Sequence, residues 1–272
     1  MSFPHGAAFK VHPYRNPVIG YPADLQEMTR RKVKEFYSKH YVPSNVIAVI
    51  VGDVNPAELI PMMERYFGRI PSGTQVPSFI PSEPPQEKTE KRVLIKMQSE
   101  PIFLAGFHIP DANNSDIPAL EVCAQILAGG RTSRFYQEMV KNKRIALSTD
   151  AWCRSQEYPG LFYVWAIAAR GHTNQEMETD VCEGLERMQT GVITDEEIEG
   201  AKARLKMEFL TMLSSRMGLA GELAAYQAIT GDWRNLFSYT EKIEEVTAQD
   251  VKAVMDRYFV RDNRIVGMVE RE

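Results

Sequence analysis

A segment of 25 residues occurs twice in this sequence, and this repeat constrains the fold more than any other feature. The first copy, ADLQEMTRRKVKEFYSKHYVPSNVI, begins at Ala23. The second, EKIEEVTAQDVKAVMDRYFVRDNRI, begins at Glu241, 218 residues later with no gap. Each copy contains a threonine that can cap a helix, a helix with apolar residues at i, i+3 and i+4, a polar turn and an apolar strand. A helix–turn–strand unit repeated at this spacing predicts a duplicated domain.

The two copies are preceded by unequal lengths of chain. About 150 residues separate Glu241 from the start of the second unit near Lys91, whereas 22 residues precede Ala23. If the copies were once alike, the first lacks roughly 130 residues, which is the size of a small domain. We therefore expect a truncated first copy, in a chain that is the later part of a longer protein. The alternative is a natural chain with one full domain and a short N-terminal extension.

Composition and charge limit the classes of partner. The chain has 272 residues, of which 44% are hydrophobic, so it can bury a large core and form more than one compact unit. Its net charge of −4 gives no electrostatic reason to expect binding to nucleic acid or to an anionic membrane. No apolar run approaches the roughly 18 residues that cross a bilayer, so no membrane span is expected. Cys123, Cys153 and Cys182 lie in apolar patterns and are predicted to be core residues.

The order of elements predicts three parts. Residues 1–70 are predicted to be the C-terminal part of a first domain, in which the apolar run Val46–Val51 forms a buried strand. Residues 71–91, with five prolines, are predicted to be an extended linker. Residues 92–272 are predicted to be a complete second domain. Its strands and helices come in blocks, which favours an α+β fold with a mostly antiparallel sheet covered by helices.

Motifs for catalysis are missing from the sequence. None of the five histidines has a second histidine at i+4, so there is neither HExxH nor HxxEH. There is also no GxSxG motif and no recognisable cysteine–histidine signature. Gly129 and Gly130, ahead of Arg131, are predicted to end one helix before the next begins, with an anion-binding nest as the alternative. We expect this chain to hold no metal and to contain no catalytic residue.

Several segments resemble the pitrilysin/insulinase (inverzincin) family of zinc metallopeptidases, in particular its bacterial and mitochondrial-processing-type members. The resemblance covers essentially the whole chain in the order of the family. It would also account for the repeat, since the family's chain carries two homologous α+β domains joined by a linker. The matching segments are HPYRNPVIG at His12, EFYSKHYVPSNVIAVIVGDV at Glu35, ERYFGRIPSG at Glu64, LAGGRTSRFYQEM at Leu127, TDEEIEGAKARLK at Thr194 and TAQDVKAVMDRYF at Thr247.

The resemblance implies a zinc-dependent metalloendopeptidase as the longer protein, which we call the parent. In the family, the zinc site is an HxxEH motif on a helix of the first domain, with a later glutamate as third ligand. These residues would all lie upstream of the position matched by His12. This chain would then supply the chamber wall and the non-catalytic domain, and it would be inactive alone, with zinc bound elsewhere in the parent. The alternative is a non-catalytic subunit, or a peptide-binding or scaffold homologue of the same family.

The resemblance also suggests partners and substrate contacts. It implies a peptide or unfolded protein as substrate and a homodimer or heterodimer with another family subunit. Many members carry an arginine and a tyrosine that bind substrate backbone, and these positions fall on Val140 and Leu147, so this chain is more similar to a zinc-bearing subunit than to its partner. The compartment stays open, with the bacterial periplasm as a candidate for the parent. The predicted substrate contacts are His12, Tyr14, Arg131 and Ser133.

Overall fold

The computed structural model describes residues 5–73, 79–87 and 89–272. The strands are β1 (Lys91–Met97), β2 (Ile102–Ile109), β3 (Ala146–Cys153), β4 (Gly160–Ala168) and β5 (Arg264–Arg271). The helices are α1 (His5–Ala8), α2 (Pro22–Gln26), α3 (Arg30–His40), α4 (Pro56–Phe67), α5 (Ile117–Ala128), α6 (Asn174–Thr190), α7 (Asp195–Leu213), α8 (Arg216–Thr230), α9 (Tyr239–Glu245) and α10 (Ala248–Tyr258). In these described ranges, no helix combines the length and the apolar character needed to cross a bilayer.

The two copies of the repeat adopt the same local structure. Helix α3 and helix α10 begin and end 218 residues apart. Thr29 and Thr247 cap them in the same way, since each hydroxyl accepts a hydrogen bond from the third backbone N–H of its helix. A short 3₁₀ turn follows each helix. The side-chain amides of Asn45 and Asn263 then donate to the carbonyl oxygen of the final helical residue. The repeat predicted from the sequence is therefore a structural repeat.

The five strands form one mixed sheet in the order β1-β5-β2-β4-β3. Strands β1 and β5 pair in parallel, and the other three pairings are antiparallel. The predicted α+β class with a mostly antiparallel sheet is confirmed. Strand β1 begins at Lys91, one residue before the predicted start of the second domain.

The prediction that Val46–Val51 forms a buried strand is wrong. The backbone there is extended after the turn at Pro43–Asn45 but forms no ladder with another described segment. In the second copy, the equivalent residues belong to β5, which lies between β1 and β2. Positions one repeat ahead of β1 and β2 would fall before residue 1. An apolar run becomes a strand only where another strand can accept and donate its backbone hydrogen bonds, and the described chain offers none here.

The two faces of the sheet are covered differently. Successive strand residues point to opposite faces of the sheet. Phe103, Ala105 and Phe107 of β2 point into the main core, where they pack with apolar residues of α5, α6 and α10. Leu104 points to the opposite face, where it packs with Phe9 and other residues of a second, smaller core. We call this opposite side the open face, because α1 and the segment after it cover only one end of it among the described residues.

A buried cluster of ion pairs fixes α6 to the edge of the sheet. The Arg264 guanidinium of β5 binds Glu90 just before β1 and also lies 3.5 Å from Glu178 of α6. Arg92 of β1 donates to the second carboxylate oxygen of Glu178 over 3.0 Å. The Cys182 thiol lies against Arg264, and all three cysteines are free thiols. The cluster joins three elements that are distant in the sequence, which orients β1 relative to α6.

The first copy of the repeat has no core. Helix α10 buries its apolar stripe, in which Val251 is 0% and Val254 is 2% exposed. The equivalent Val33 and Phe36 of α3 are 50% and 59% exposed. Helices α2, α3 and α4 contain no buried residue. The first copy therefore keeps its helical structure and caps but buries no residue of its apolar stripe.

Candidate functional site

A short segment at the start of the chain lies on the open face and is fixed there by the predicted linker. The carboxylate of Glu83 accepts hydrogen bonds from three consecutive backbone N–H groups, those of Lys10, Val11 and His12, over 2.6, 2.9 and 2.9 Å. The Lys91 ammonium donates to the carbonyl oxygen of Ala7 over 2.8 Å. These contacts hold residues 7–12 against the sheet. Burial opposes ionisation of Glu83, but the three backbone donors outweigh it and lower its pKa.

His12, a predicted substrate contact, is buried in this segment. Its ring contacts Tyr14 with centroids 4.2 Å apart and Tyr158 with centroids 5.1 Å apart. Its Nδ1 accepts a hydrogen bond from the backbone N–H of Tyr14, so the ring also caps the short turn Pro13–Arg15. Burial lowers the pKa of His12, so the imidazole is neutral at pH 7. Its Nε2 is buried with no hydrogen-bond partner among the described residues.

Tyr14, the second predicted contact, lies at the margin of the open face. Its ring makes an edge contact with Phe9 and another with Tyr158, at centroid distances of 5.7 and 6.3 Å. The residue is half-buried, and burial raises the pKa of its hydroxyl. His12 and Tyr14 are thus brought together, in one aromatic cluster next to the sheet.

Three large aromatic residues lie on the open face, of which Trp152 and Trp165 are partly exposed and Tyr163 is buried in the second core. Trp152 of β3 is paired with Tyr163 of β4, and their rings stack with centroids 5.0 Å apart. Trp165 follows two residues later on β4, so it points to the same face and is half-buried. Trp152 is 38% exposed. The exposed Asp150 is paired with Trp165, which places a carboxylate beside the aromatic rings.

Arg131 and Ser133 lie in the turn between α5 and the π-helical segment Tyr136–Asn142. Gly130 adopts a φ of 79°, which favours glycine, and ends the helix as predicted. The buried Ser133 hydroxyl donates to the carbonyl oxygen of Gly130 over 2.7 Å. Arg131 is exposed, and the neighbouring Arg134 is bound to Glu197 of α7 over 2.6 Å. The turn is therefore held from both sides, while the guanidinium of Arg131 extends into solvent.

The two predicted pairs of substrate contacts lie on opposite sides of the sheet. His12 and Tyr14 belong to the open face, whereas the turn of Arg131 and Ser133 connects helices of the main core. The structure therefore forms no single site from all four residues. The prediction that they contact substrate stays a prediction.

The two positions that match the family's arginine and tyrosine differ in burial. Val140 is half-buried and packs against the main core. Leu147 occupies a bulge in β3 and is 58% exposed. Neither aliphatic side chain can donate a hydrogen bond to a peptide backbone.

The described residues do not fit a zinc site. They contain no group of three or more His, Cys, Asp or Glu side chains placed to hold a metal ion. A catalytic zinc needs three protein ligands and an open position for water or substrate. No step of a metal-dependent reaction can therefore be assigned to these residues.

The aromatic residues of the open face were not identified from the sequence. Trp152, Tyr163 and Trp165 stand in alternating strand patterns, and that alternation could have placed all three on one face. No local sequence pattern indicated that Glu83 would bind the backbone of residues 10–12. This binding depends on contacts between residues more than 70 positions apart.

The comparisons with known proteins agree on one family. Residues 27–205 match the family model described as the Peptidase M16 inactive domain. The chain is 27% identical over 258 residues to the zinc protease PqqE of Helicobacter pylori. This alignment covers 93% of this chain and 57% of that protein. It is 22% identical over 284 residues to the beta subunit of the mitochondrial-processing peptidase of Saccharomyces cerevisiae, covering 97% of this chain and 60% of that protein.

Solved structures show the same fold. A protease from Helicobacter pylori superimposes with a TM-score of 0.88 at 24% identity, covering 97% of this chain and 64% of that chain. A peptidase M16 inactive domain from Pseudomonas fluorescens superimposes with a TM-score of 0.85 at 20% identity, covering 98% and 63%. The chain thus spans less than two thirds of the length of these relatives.

Proposed function

This chain belongs to the M16 peptidase family through its inactive domain, and we propose that it forms the non-catalytic part of a zinc metalloendopeptidase, where its open face forms part of the chamber wall. The observation that carries the proposal is the aromatic surface that the partly exposed Trp152 and Trp165 form around the buried Tyr163. Such a surface suits an unfolded peptide of varied sequence, because aromatic rings contact many side chains without requiring one of them.

Zinc, in this proposal, is held by a part of the parent outside this chain. Relatives that share the family carry the name zinc protease, and this chain spans 57% of the length of the one from Helicobacter pylori. The exposed stripe of α3 supports a longer parent, because its equivalent on α10 is buried by strands and helices of its own domain. We expect this chain alone to bind peptide and to cleave none.

A non-catalytic subunit or a peptide-binding scaffold of the same family is the second candidate function. Val140 and Leu147 favour the zinc-bearing type over a partner that binds substrate backbone, because neither side chain is an arginine or a tyrosine. The two candidates predict the same open face. They differ in whether the parent binds zinc.

The chamber-wall proposal is tested by binding of an unfolded protein to the chain. Fluorescence anisotropy with labelled, reduced and carboxymethylated lactalbumin should show that Trp152→Ala and Trp165→Ala each weaken binding by about tenfold or more, since buried aromatic contacts often carry most of the binding energy. Trp233→Ala is the matched control, because Trp233 is 39% exposed but lies in the helical layer beside Arg234. Equal losses in all three variants, or none, would contradict the proposal.

The same assay can show on which side of the sheet the predicted substrate contacts bind. Tyr14→Ala tests the cluster on the open face, and Arg131→Ala tests the turn on the helical side. If substrate lies on the open face, the first substitution weakens binding and the second does not. A loss with Arg131→Ala alone would instead place the substrate at the helical turn.

A further inference from the structure

A cavity of about 770 Å³ opens among the helices, away from the open face. The N-terminal half of α5, helix α8, the segment from Asn235 through α9, and α10 form its walls. This volume lies within the range of pockets that bind small molecules. Much of the lining is apolar: Ile117, Pro118, Ala225, Ile229, Val246 and Val254.

Glu121 gives the cavity a polar atom with no partner. Its Oε2 is buried and lacks any hydrogen-bond partner among the described residues. Ser155 also lines the cavity, and its hydroxyl lies in hydrogen-bond contact with the Cys153 thiol. Burial raises the pKa of Glu121 to about 7, and a hydrogen bond from Tyr239 opposes that rise. Buried polar atoms are normally satisfied, so the unpartnered Oε2 of Glu121 in a cavity of this size indicates a missing ligand.

The charges around the cavity decide which ligand fits. Asp116, Glu222, Glu245 and Asp250 line it together with Glu121, and the facing cations are Lys242 and Arg257. Arg257 is already bound to Asp116. The remaining carboxylates outnumber Lys242, so the cavity favours a positive charge.

Two tyrosines complete the recognition surface. Tyr226 of α8 and Tyr239 of α9 both line the cavity. For each, burial is the main cause of a raised pKa, and the charge of Glu121 adds to it. Both hydroxyls therefore stay protonated: that of Tyr239 donates to Glu121, and that of Tyr226 can donate to a ligand.

We propose that this cavity binds an organic cation, an amidinium, guanidinium or ammonium group on an apolar body, with Glu121 as its counter-ion. The cationic group would donate hydrogen bonds to the unpartnered Oε2 of Glu121 and to the Ser155 hydroxyl. The apolar body would contact Ile117, Ala225 and Val254. This site is independent of the proposed peptide surface, which lies on the other side of the sheet.

Benzamidine is a suitable probe, because it joins an amidinium to an apolar ring, and uncharged benzamide is its neutral counterpart. Isothermal titration calorimetry with the complete chain should show binding of benzamidine at pH 8 that is at least tenfold tighter than binding of benzamide. Binding should weaken about tenfold between pH 8 and pH 6, because the cation requires the ionised form of Glu121. Titrations near pH 7 in buffers of different ionisation enthalpy should show release of about half a proton per ligand bound, because about half of Glu121 is protonated at that pH.

Substitutions show whether benzamidine binds in this cavity or elsewhere on the chain. Glu121→Gln keeps the shape of the side chain and should weaken benzamidine binding at least tenfold while removing proton release. Ala225→Met should block binding by filling the cavity without changing charge, and it keeps the test valid if Glu121→Gln does not fold. Glu186→Gln, at an exposed position of α6, is the matched control.

Three results would overturn the proposal. These are no binding of benzamidine to the wild-type chain at 10 mM, equal binding of benzamide, or binding that Glu121→Gln and Ala225→Met leave unchanged. In each case Glu121 would be a neutral acid held by Tyr239 in a cavity that contains water.

Discussion

The half-buried side chain of His108 makes the stability of the folded chain depend on pH. Its ring makes an edge contact with Phe9 at a centroid distance of 5.4 Å, so the segment around α1 covers it. Burial, and then the charge of Lys91, lower the pKa of His108 to about 4, while the charge of Glu83 and a hydrogen bond with the backbone of Ala8 act against this shift. The imidazole is therefore neutral in the folded chain at any pH well above 4.

This burial predicts a loss of stability in mild acid. Below pH 6.5 the unfolded chain takes up a proton on His108 and the folded chain does not, so the free energy of unfolding falls as the pH drops from about 6.5 towards 4. Between pH 7.5 and 4.5, His108→Gln should lose about 2 kcal/mol less stability than the wild type, as measured by urea unfolding.

The control for this prediction is Gln175→Ala. Gln175 is an exposed residue of α6 without a titratable group, so its replacement should leave the pH dependence of the wild type unchanged. If the wild type and His108→Gln lose stability in parallel, His108 is not a buried neutral base.

At the scale of elements, the linker and the first segment stabilise each other through Glu83. A carboxylate that accepts three backbone N–H groups makes charge-assisted hydrogen bonds, which are stronger than neutral ones. Glu87 offers a contrast, because it binds the Lys10 ammonium over 2.5 Å at the exposed surface, where an ion pair contributes little.

These two glutamates predict different effects on proteolysis. Glu83→Gln should increase the rate of trypsin cleavage after Lys10 by about tenfold, since losing about 1.4 kcal/mol of local stability raises the open population by that factor. Glu87→Gln should change the rate by less than twofold. Peptide mapping of the digest over time gives both rates, and equal acceleration by the two variants would show that Glu83 does not hold the segment.

The two copies of the repeat allow the same substitution to be compared in two environments. Val251→Ala in α10 removes fully buried methyl groups and should cost about 2 kcal/mol in the free energy of unfolding. Val33→Ala at the equivalent position of α3 should cost less than about 0.5 kcal/mol, because Val33 is half exposed. Urea unfolding monitored by circular dichroism measures both. Equal costs would mean that α3 is packed in solution.

The elements that could be predicted from the sequence are those set by local signals. The threonine caps, the apolar periodicity and the polar turn placed α3 and α10 correctly, because these signals act within a few residues. The strand at Val46–Val51 failed because strand formation depends on partners that a local pattern does not contain. The contact of Glu83 with residues 10–12 was missed for the same reason, as was the cavity around Glu121, which four separate elements enclose.

At the scale of the whole molecule, the sequence indicated a family but not a site. The order of motifs indicated the family, and the family match over residues 27–205 confirms it. The division into two homologous domains stays a prediction. The substrate contacts could not be predicted in the same way, since His12 and Tyr14 lie on one side of the sheet and Arg131 and Ser133 on the other. Which residues share a face is decided by the register of the strands and by the path of the chain across them.

The proposal that this chain is the non-catalytic part of a zinc peptidase can be tested on the protein purified from its natural source. Mass spectrometry would measure its bound zinc together with its polypeptide sequence. We expect a stoichiometric zinc ion and a polypeptide that extends upstream of Met1 through an HxxEH motif. A zinc-free protein that begins at Met1, or one with upstream sequence lacking that motif, would contradict it.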